Sequence, residues 1–203
     1  MDAITLLTND HRKVEALFKD YEFATERQVR RDLVDQMVKE LSTHAAIEEA
    51  IFYPKVRDQV PEGKSLVDES LAEHQQMKKT LAKLDEMEVN DPNLDASVQS
   101  LMGEVKHHVS EEEAELFPKV RASMPVDRLA EMGDEMEKMK SSAPTHPHPK
   151  APNLGAPAKA AGMAAGVADR ARDAATGRKD EREVRQEVMA DRDYEHPPSQ
   201  RLP

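Results

Sequence analysis

Residues 44–57 read "HAAIEEAIFYPKVR", and residues 108–121 read "HVSEEEAELFPKVR". His44, Glu48, Pro54, Lys55, Val56 and Arg57 fall on His108, Glu112, Pro118, Lys119, Val120 and Arg121 at a constant offset of 64. In both stretches His and Glu stand four residues apart, so on a helix they share one face. That face is the apolar one. The stripe around the first pair runs Val34, Met37, Leu41, His44, Glu48, Ile51, and the stripe around the second runs Leu94, Val98, Leu101, Val105, His108, Glu112. A helix packed through such a stripe would bury a carboxylate, which costs several kcal/mol unless the group neutralises or finds a cation.

Two further helical stripes carry a histidine at the same kind of position. One runs Ile4, Leu7, His11, Val14, Phe18, Tyr21, and the other runs Val67, Ser70, His74, Met77, Leu81, Leu84. "DH" at 10–11 maps onto "EH" at 73–74 at offset 63, so the chain reads as two copies of a helix pair with a pseudo-twofold axis between them. Turn signals near Thr25, in "DQVPEGKS" (58–65), in "VNDPNLD" (89–95) and in "SMPVD" (123–127) divide residues 1–140. The predicted helices span 3–23, 27–56, 65–88 and 94–122, with a shorter fifth at 126–140. Short connections make successive helices antiparallel. The predicted fold is all-α, an up-down-up-down four-helix bundle with a short fifth helix.

At a rise of ~1.5 Å per residue, His11 and the His44–Glu48 pair lie ~12–18 Å from the same end of that bundle. The counts for His74 and for the His108–Glu112 pair agree. Four imidazoles and two carboxylates therefore meet at one level. Two divalent cations there would turn a large burial cost into a favourable interaction, since neutral imidazoles donate lone pairs and carboxylates supply charge and bridge. The metal-free alternative is a polar network that fixes helix register.

At these residues the sequence resembles the hemerythrin-like family, the HHE cation-binding domains, whose pattern is H…HxxxE…H…HxxxE. Here the pattern is His11, "HAAIE" 44–48, His74 and "HVSEE" 108–112, and "FYP" and "LFP" after the two motifs also resemble the family. The resemblance covers about residues 2–122. It implies a four-helix bundle with a non-haem di-iron centre, two iron ions joined by an oxo or hydroxo bridge. Glu48 and Glu112 would bridge the irons, with His11, His44, His74 and His108 as terminal ligands. The oxygen-carrying members have a further histidine one turn after the third-helix histidine; here that place is held by Lys78, beside Met77. The chain thus resembles the bacterial and sensor branches more than the reversible oxygen carriers.

Several neighbouring residues have a plainer reading. Glu49 and Glu113 recur at offset 64 and read as a solvated face, with carboxylate partners to a ligating histidine as the alternative; Asp10 and Glu73 read the same way. His107 points about 100° away from His108 and reads as solvated. Tyr53 lies five residues after Glu48 and falls off the stripe unless Pro54 bends the helix. Leu129, Met132, Met136 and Met139 read as packing on the outside of the bundle, and His146 and His148 in "THPHP" as solvated.

Of the 203 residues, 141–203 differ in character: eight of 13 prolines and four of seven glycines lie there, against one of seven aromatics. Such a composition predicts a disordered C-terminal tail, with a weak helical pattern around 180–192. The tail carries 10 Lys/Arg against 9 Asp/Glu, so the body holds −12 of the net −11. That balance argues against nucleic acid as a partner. There is no Cys, no signal-peptide pattern and no run near the ~20 apolar residues of a membrane span. The expectation is a soluble, cytoplasmic protein away from membranes. It would bind a small diatomic or peroxide ligand (O₂, NO or peroxide) between apolar walls of Leu7, Val14, Met37, Leu41, Met77, Leu101 and Val105. A ferroxidase or peroxide-decomposing enzyme is the second reading. A structural Zn²⁺ bundle with the tail as a segment for a protein partner is the third, since ligand type does not separate iron from zinc or manganese.

Overall fold

The computed structural model describes residues 1–195, with side chains through Asp191. Every regular element among them is helical. The predicted four long helices are present as α1 (Ala3–Phe23), α2 (Arg27–Ile47) continued by α3 (Tyr53–Gln59), α4 (Gly63–Glu86), and α5 (Leu94–Glu111) continued by α6 (Phe117–Ser123). The fifth is α7 (Val126–Lys140). No described helix is long and apolar enough to cross a membrane.

Each stripe residue named above is buried except Phe18, which is half-buried. The apolar core is split in two. One cluster gathers Leu7, Phe52, Tyr53, Phe117, Met132 and Met136, and the other Val14, Met37, Leu41, Met77, Leu101 and Val105. The polar layer of histidines and glutamates lies between them. Met132, Met136 and Met139 of α7 pack against the first cluster, as the stripe predicts.

The sequence predicts two unbroken helices at 27–56 and 94–122, but each contains a π-turn, at Glu48–Phe52 and at Glu112–Leu116. The Tyr53 N–H donates to Glu48 O and the Phe117 N–H to Glu112 O, five residues back. Pro54 and Pro118 follow directly. A proline inside an α-helix lacks a donor and clashes with the carbonyl four residues earlier. A single wide turn relieves both, and such turns mark functional places in helices.

The larger departure is at the C-terminus. Residues 141–195 are not a disordered tail: α8 (Gly155–Thr176) and α9 (Glu181–Glu195) pack against the bundle. Residues 196–203, also expected to be disordered, lie outside the described residues. Composition underestimates this segment because charge pairing and close backbone contact help to dock it. His146 sits between Asp85 and Asp173 at 2.9 Å from each. Burial opposes the charged Asp85 carboxylate, but His146, Arg172 and Arg178 outweigh it and hold its pKa below the usual value. Asp191 accepts from the Thr25 N–H and hydroxyl at the start of α2, while Val184 and Val188 of α9 join the second core cluster. Gly166 lets α8 lie on the preceding loop, since a Cβ there would stand 2.2 Å from Ser142 O.

Candidate metal centre

The six candidate ligands converge. His11, His44, Glu48 and Glu112 bring one ligand atom each within 4.8 Å of the others, and so do Glu48, His74 and His108. Glu48 Oε2 stands 3.1 Å from His44 Nε2 and 3.3 Å from His74 Nε2. Glu112 Oε2 stands 3.3 Å from His11 Nε2 and 3.6 Å from His108 Nε2. Each glutamate thus lies across one histidine of the first pair, His11–His44, and one of the second, His74–His108. That is the disposition a bridging carboxylate needs.

These atoms are close enough for charge attraction, but several are not aligned as hydrogen bonds. His11 Nε2, His44 Nε2, Glu48 Oε1 and Glu112 Oε2 are buried without a hydrogen-bond partner. Native interiors satisfy the great majority of such atoms, so four in one layer call for an explanation. His74 Nε2 and His108 Nε2 face each other at 3.2 Å, which sets two lone pairs head to head unless a proton or a cation lies between them. Soft-to-borderline nitrogen and hard carboxylate oxygen aimed at common points fit divalent or trivalent metal.

The other ring nitrogen of every histidine meets a carboxylate. His11 Nδ1 lies 2.8 Å from Glu113, His44 Nδ1 3.5 Å from Asp10, His74 Nδ1 3.1 Å from Glu49 and His108 Nδ1 2.8 Å from Glu73. A carboxylate at Nδ1 keeps the proton there and leaves the Nε2 lone pair facing inward. The reading of these four acids as a solvated face is therefore corrected. Glu49 is buried, and the other three are half-buried. The recurrence at offsets 63 and 64 was the sequence signal for them.

Electrostatics tell the same story. Burial opposes an imidazolium at His44, but Glu48 and Asp10 override it and raise the pKa to about 10. Burial is likewise overridden at His74 by Glu48 and Glu49, to about 9. Glu48 is held well below the usual carboxylate value, against its burial, by the same two histidines. At His44 and His74 the surrounding carboxylates thus favour the positively charged imidazole.

A match to the hemerythrin HHE cation binding domain spans residues 2–141. The chain belongs to the hemerythrin HHE cation-binding family. It is 31% identical over 165 residues to an uncharacterized hemerythrin-like protein of Schizosaccharomyces pombe, covering 81% of each chain. It is also 28% identical over 141 residues to a DNA nickase of Nostoc, covering 70% of this chain but 40% of that one. Among solved structures it resembles a hemerythrin HHE cation binding domain-containing protein from Mycobacterium kansasii, with a TM-score of 0.60 and 23% identity over 70% of this chain and 86% of the other. That last likeness speaks to fold alone.

Within this hemerythrin-like layer, Tyr53 is the residue that sequence spacing misplaced. The π-turn adds one residue to the turn, so position i+5 lands above Glu48. The Tyr53 hydroxyl donates to Glu112 Oε1 at 2.9 Å and lies 3.2 Å from His74 Nε2. Burial, followed by the charges of Glu112 and Glu48, raises its pKa well above the usual phenol value. Phe117, the same position in the other repeat, stacks on His11 with ring centroids 5.8 Å apart.

The position that the resemblance marks for a further histidine holds Lys78. Its Nζ lies 2.6 Å from both oxygens of Glu49, so it supports the His74 partner and does not point at the centre. His107 is exposed, against Glu73 and Glu111, as read from sequence. His146 is buried rather than solvated, and His148 is partly exposed; both are tied to aspartates of α8. The void beside the histidines is lined by Val14, Leu41, Met77 and Val105 of the expected walls, with Leu81 and Val109, whereas Leu7, Met37 and Leu101 pack elsewhere in the core.

Proposed function

We propose that the chain is a non-haem di-iron protein that binds a small ligand, O₂, NO or peroxide, in sensing or in oxidative, nitrosative and iron-related stress. His11 and His44 would hold one iron, His74 and His108 the other, with Glu48 and Glu112 bridging. The observation that carries this is the set of four buried, unpartnered ligand atoms aimed into one layer. Bound irons would supply redox electrons and open coordination positions. The void next to the two histidine pairs is about 20 Å³, room for a diatomic or a water and little more, with apolar walls that favour small neutral molecules. The net charge of −11 speaks against a nucleic-acid partner, and the absence of Cys fits the cytoplasm.

The Tyr53 hydroxyl favours a second reading, a peroxide-decomposing or ferroxidase enzyme, because it is a buried O–H donor within reach of both the second histidine pair and a bridging carboxylate.

Metal analysis of protein purified in air tests the first reading. About two irons per chain, with oxo-bridge charge-transfer bands in the ultraviolet-visible spectrum, is the expected result. Colourless protein with stoichiometric zinc would overturn both readings. Peroxide turnover no faster than free iron, or unchanged in Tyr53→Phe, would remove the second alone.

A further inference from the structure

Two voids meet at Lys78. The inner one, about 20 Å³, touches the histidines. The outer one, about 40 Å³, lies under the loop 144–152 and the first turns of α8. Among the described residues, Lys78 is the only one that lines both. The floor of the outer void is Ser42, Ala46 and Glu49, and its roof includes Pro144, Ala161 and Gly162. Small side chains on both surfaces leave this space open although α8 and the loop lie against the bundle. A Cβ at Gly162 would come into van der Waals contact with the Pro144 ring, 3.5 Å away.

We propose that small neutral ligands reach the centre through this outer vestibule, and that the Lys78–Glu49 ion pair is the partition they pass. The proposal rests on the di-iron reading for the inner end of the route. The Lys78 stem crosses the wall between the two spaces, and its ammonium is held on the Glu49 side by both carboxylate oxygens. A lysine stem has four rotatable carbons, so rotation of its outer half joins the spaces without moving a helix. The partition also filters by charge. An anion entering the vestibule meets Glu49, already neutralised by Lys78, and loses hydration against alanine and proline walls. A neutral diatomic or triatomic loses little. The segment 144–165 thereby becomes part of the ligand path, which gives the docked C-terminal region a role at the metal.

Two probes test the route, one of which needs no metal. Isocyanic acid, the small neutral molecule present in cyanate solutions, carbamylates lysine amines, and peptide mass spectrometry reads each site. Ala161→Phe and, as a milder plug, Ala165→Leu fill the vestibule far from the candidate ligands. Both should slow carbamylation of Lys78 at least fivefold while leaving Lys64, three-quarters exposed, unchanged. Gly166→Val, which lifts α8 from its loop, should speed it by a similar factor. In iron-loaded, reduced protein the plugs should slow association of nitric oxide, a neutral diatomic, followed by the change in the visible spectrum, about tenfold with the starting spectrum intact. The double change Lys78→Met with Glu49→Gln, which leaves neither charge buried alone and keeps an acceptor at His74 Nδ1, should speed it. Circular dichroism establishes that each variant is folded. Lys78 labelling indifferent to the plugs overturns the proposal. So does nitric oxide association that the plugs leave unchanged, because the vestibule would then lead to Lys78 and not to the centre. Failure of any preparation to hold iron counts against the function proposed above, while the labelling still decides whether the vestibule opens onto Lys78.

Discussion

The two repeats each supply three of the six candidate ligands and surround them differently. In the first, His11 meets Glu113, whose other oxygen takes the half-exposed Arg12; in the second, His74 meets Glu49, whose two oxygens take the buried Lys78. Phe117 covers His11 with an apolar ring, while Tyr53 sets a hydroxyl beside His74. The repeat keeps the donors alike and differs in what holds them. The His74–His108 half is the more enclosed and more polar of the two, so reactivity is expected to differ between the two metal positions.

The sharpest break of the pseudo-symmetry concerns metal itself. In the proposed centre Glu48 would serve both positions, whereas His11 would serve one. Glu48→Ala is expected to remove both irons, and His11→Ala to leave about one, as read by metal analysis of purified protein. Equal loss in the two variants would mean that the positions fill only together.

The next effect separates the partners. Lys78→Met leaves Glu49 buried without its cation, a kind of change that costs roughly 3–5 kcal/mol. Urea unfolding of metal-free protein measures it, and a loss under about 1 kcal/mol would show that His74 alone suffices to neutralise Glu49.

Smaller again is the exchange of rings. Tyr53→Phe removes the donor to Glu112 Oε1, and an unsatisfied buried acceptor costs about 1–3 kcal/mol. Phe117→Tyr should also destabilise, because the new hydroxyl enters the apolar stack on His11. If Phe117→Tyr proves neutral, the first half has more room than its stack suggests.

How much of this was legible in the sequence depends on the physics of each element. The four stripes and the six inward residues were readable because period and repeat reinforce each other across 120 residues or so of chain, on the usual three-four helical spacing. Tyr53 was not readable, because a π-turn changes the residue count per turn and only Pro54 hints at it. The acids at the histidine Nδ1 atoms recur in the sequence, yet a charged residue beside a core position is normally solvated, and only the crossing of the helices decides. Residues 141–195 were misread because hydropathy does not register an Asp85–His146–Asp173 chain or a glycine contact such as Gly166. Both depend on partners more than 20 residues away in sequence.

The smallest expected effect is at Arg12, and it is the control that gives the Lys78 result its meaning. Arg12 and Lys78 occupy corresponding roles, each binding the carboxylate that holds a candidate ligand. The Arg12 side chain is 49% exposed and that of Glu113 29%, against 11% and 4% for Lys78 and Glu49. Water can replace the guanidinium at Glu113, and exposed pairs are worth about 0–1 kcal/mol. Arg12→Met should therefore cost less than about 1 kcal/mol in urea unfolding, and leave the iron at His11 in place. The loss should also shrink in high salt, which screens a surface pair and leaves a buried one nearly untouched. A cost at Arg12 equal to that at Lys78, and insensitive to salt, would mean that burial does not distinguish the halves, and the asymmetry between the two metal positions would have to come from Tyr53 alone.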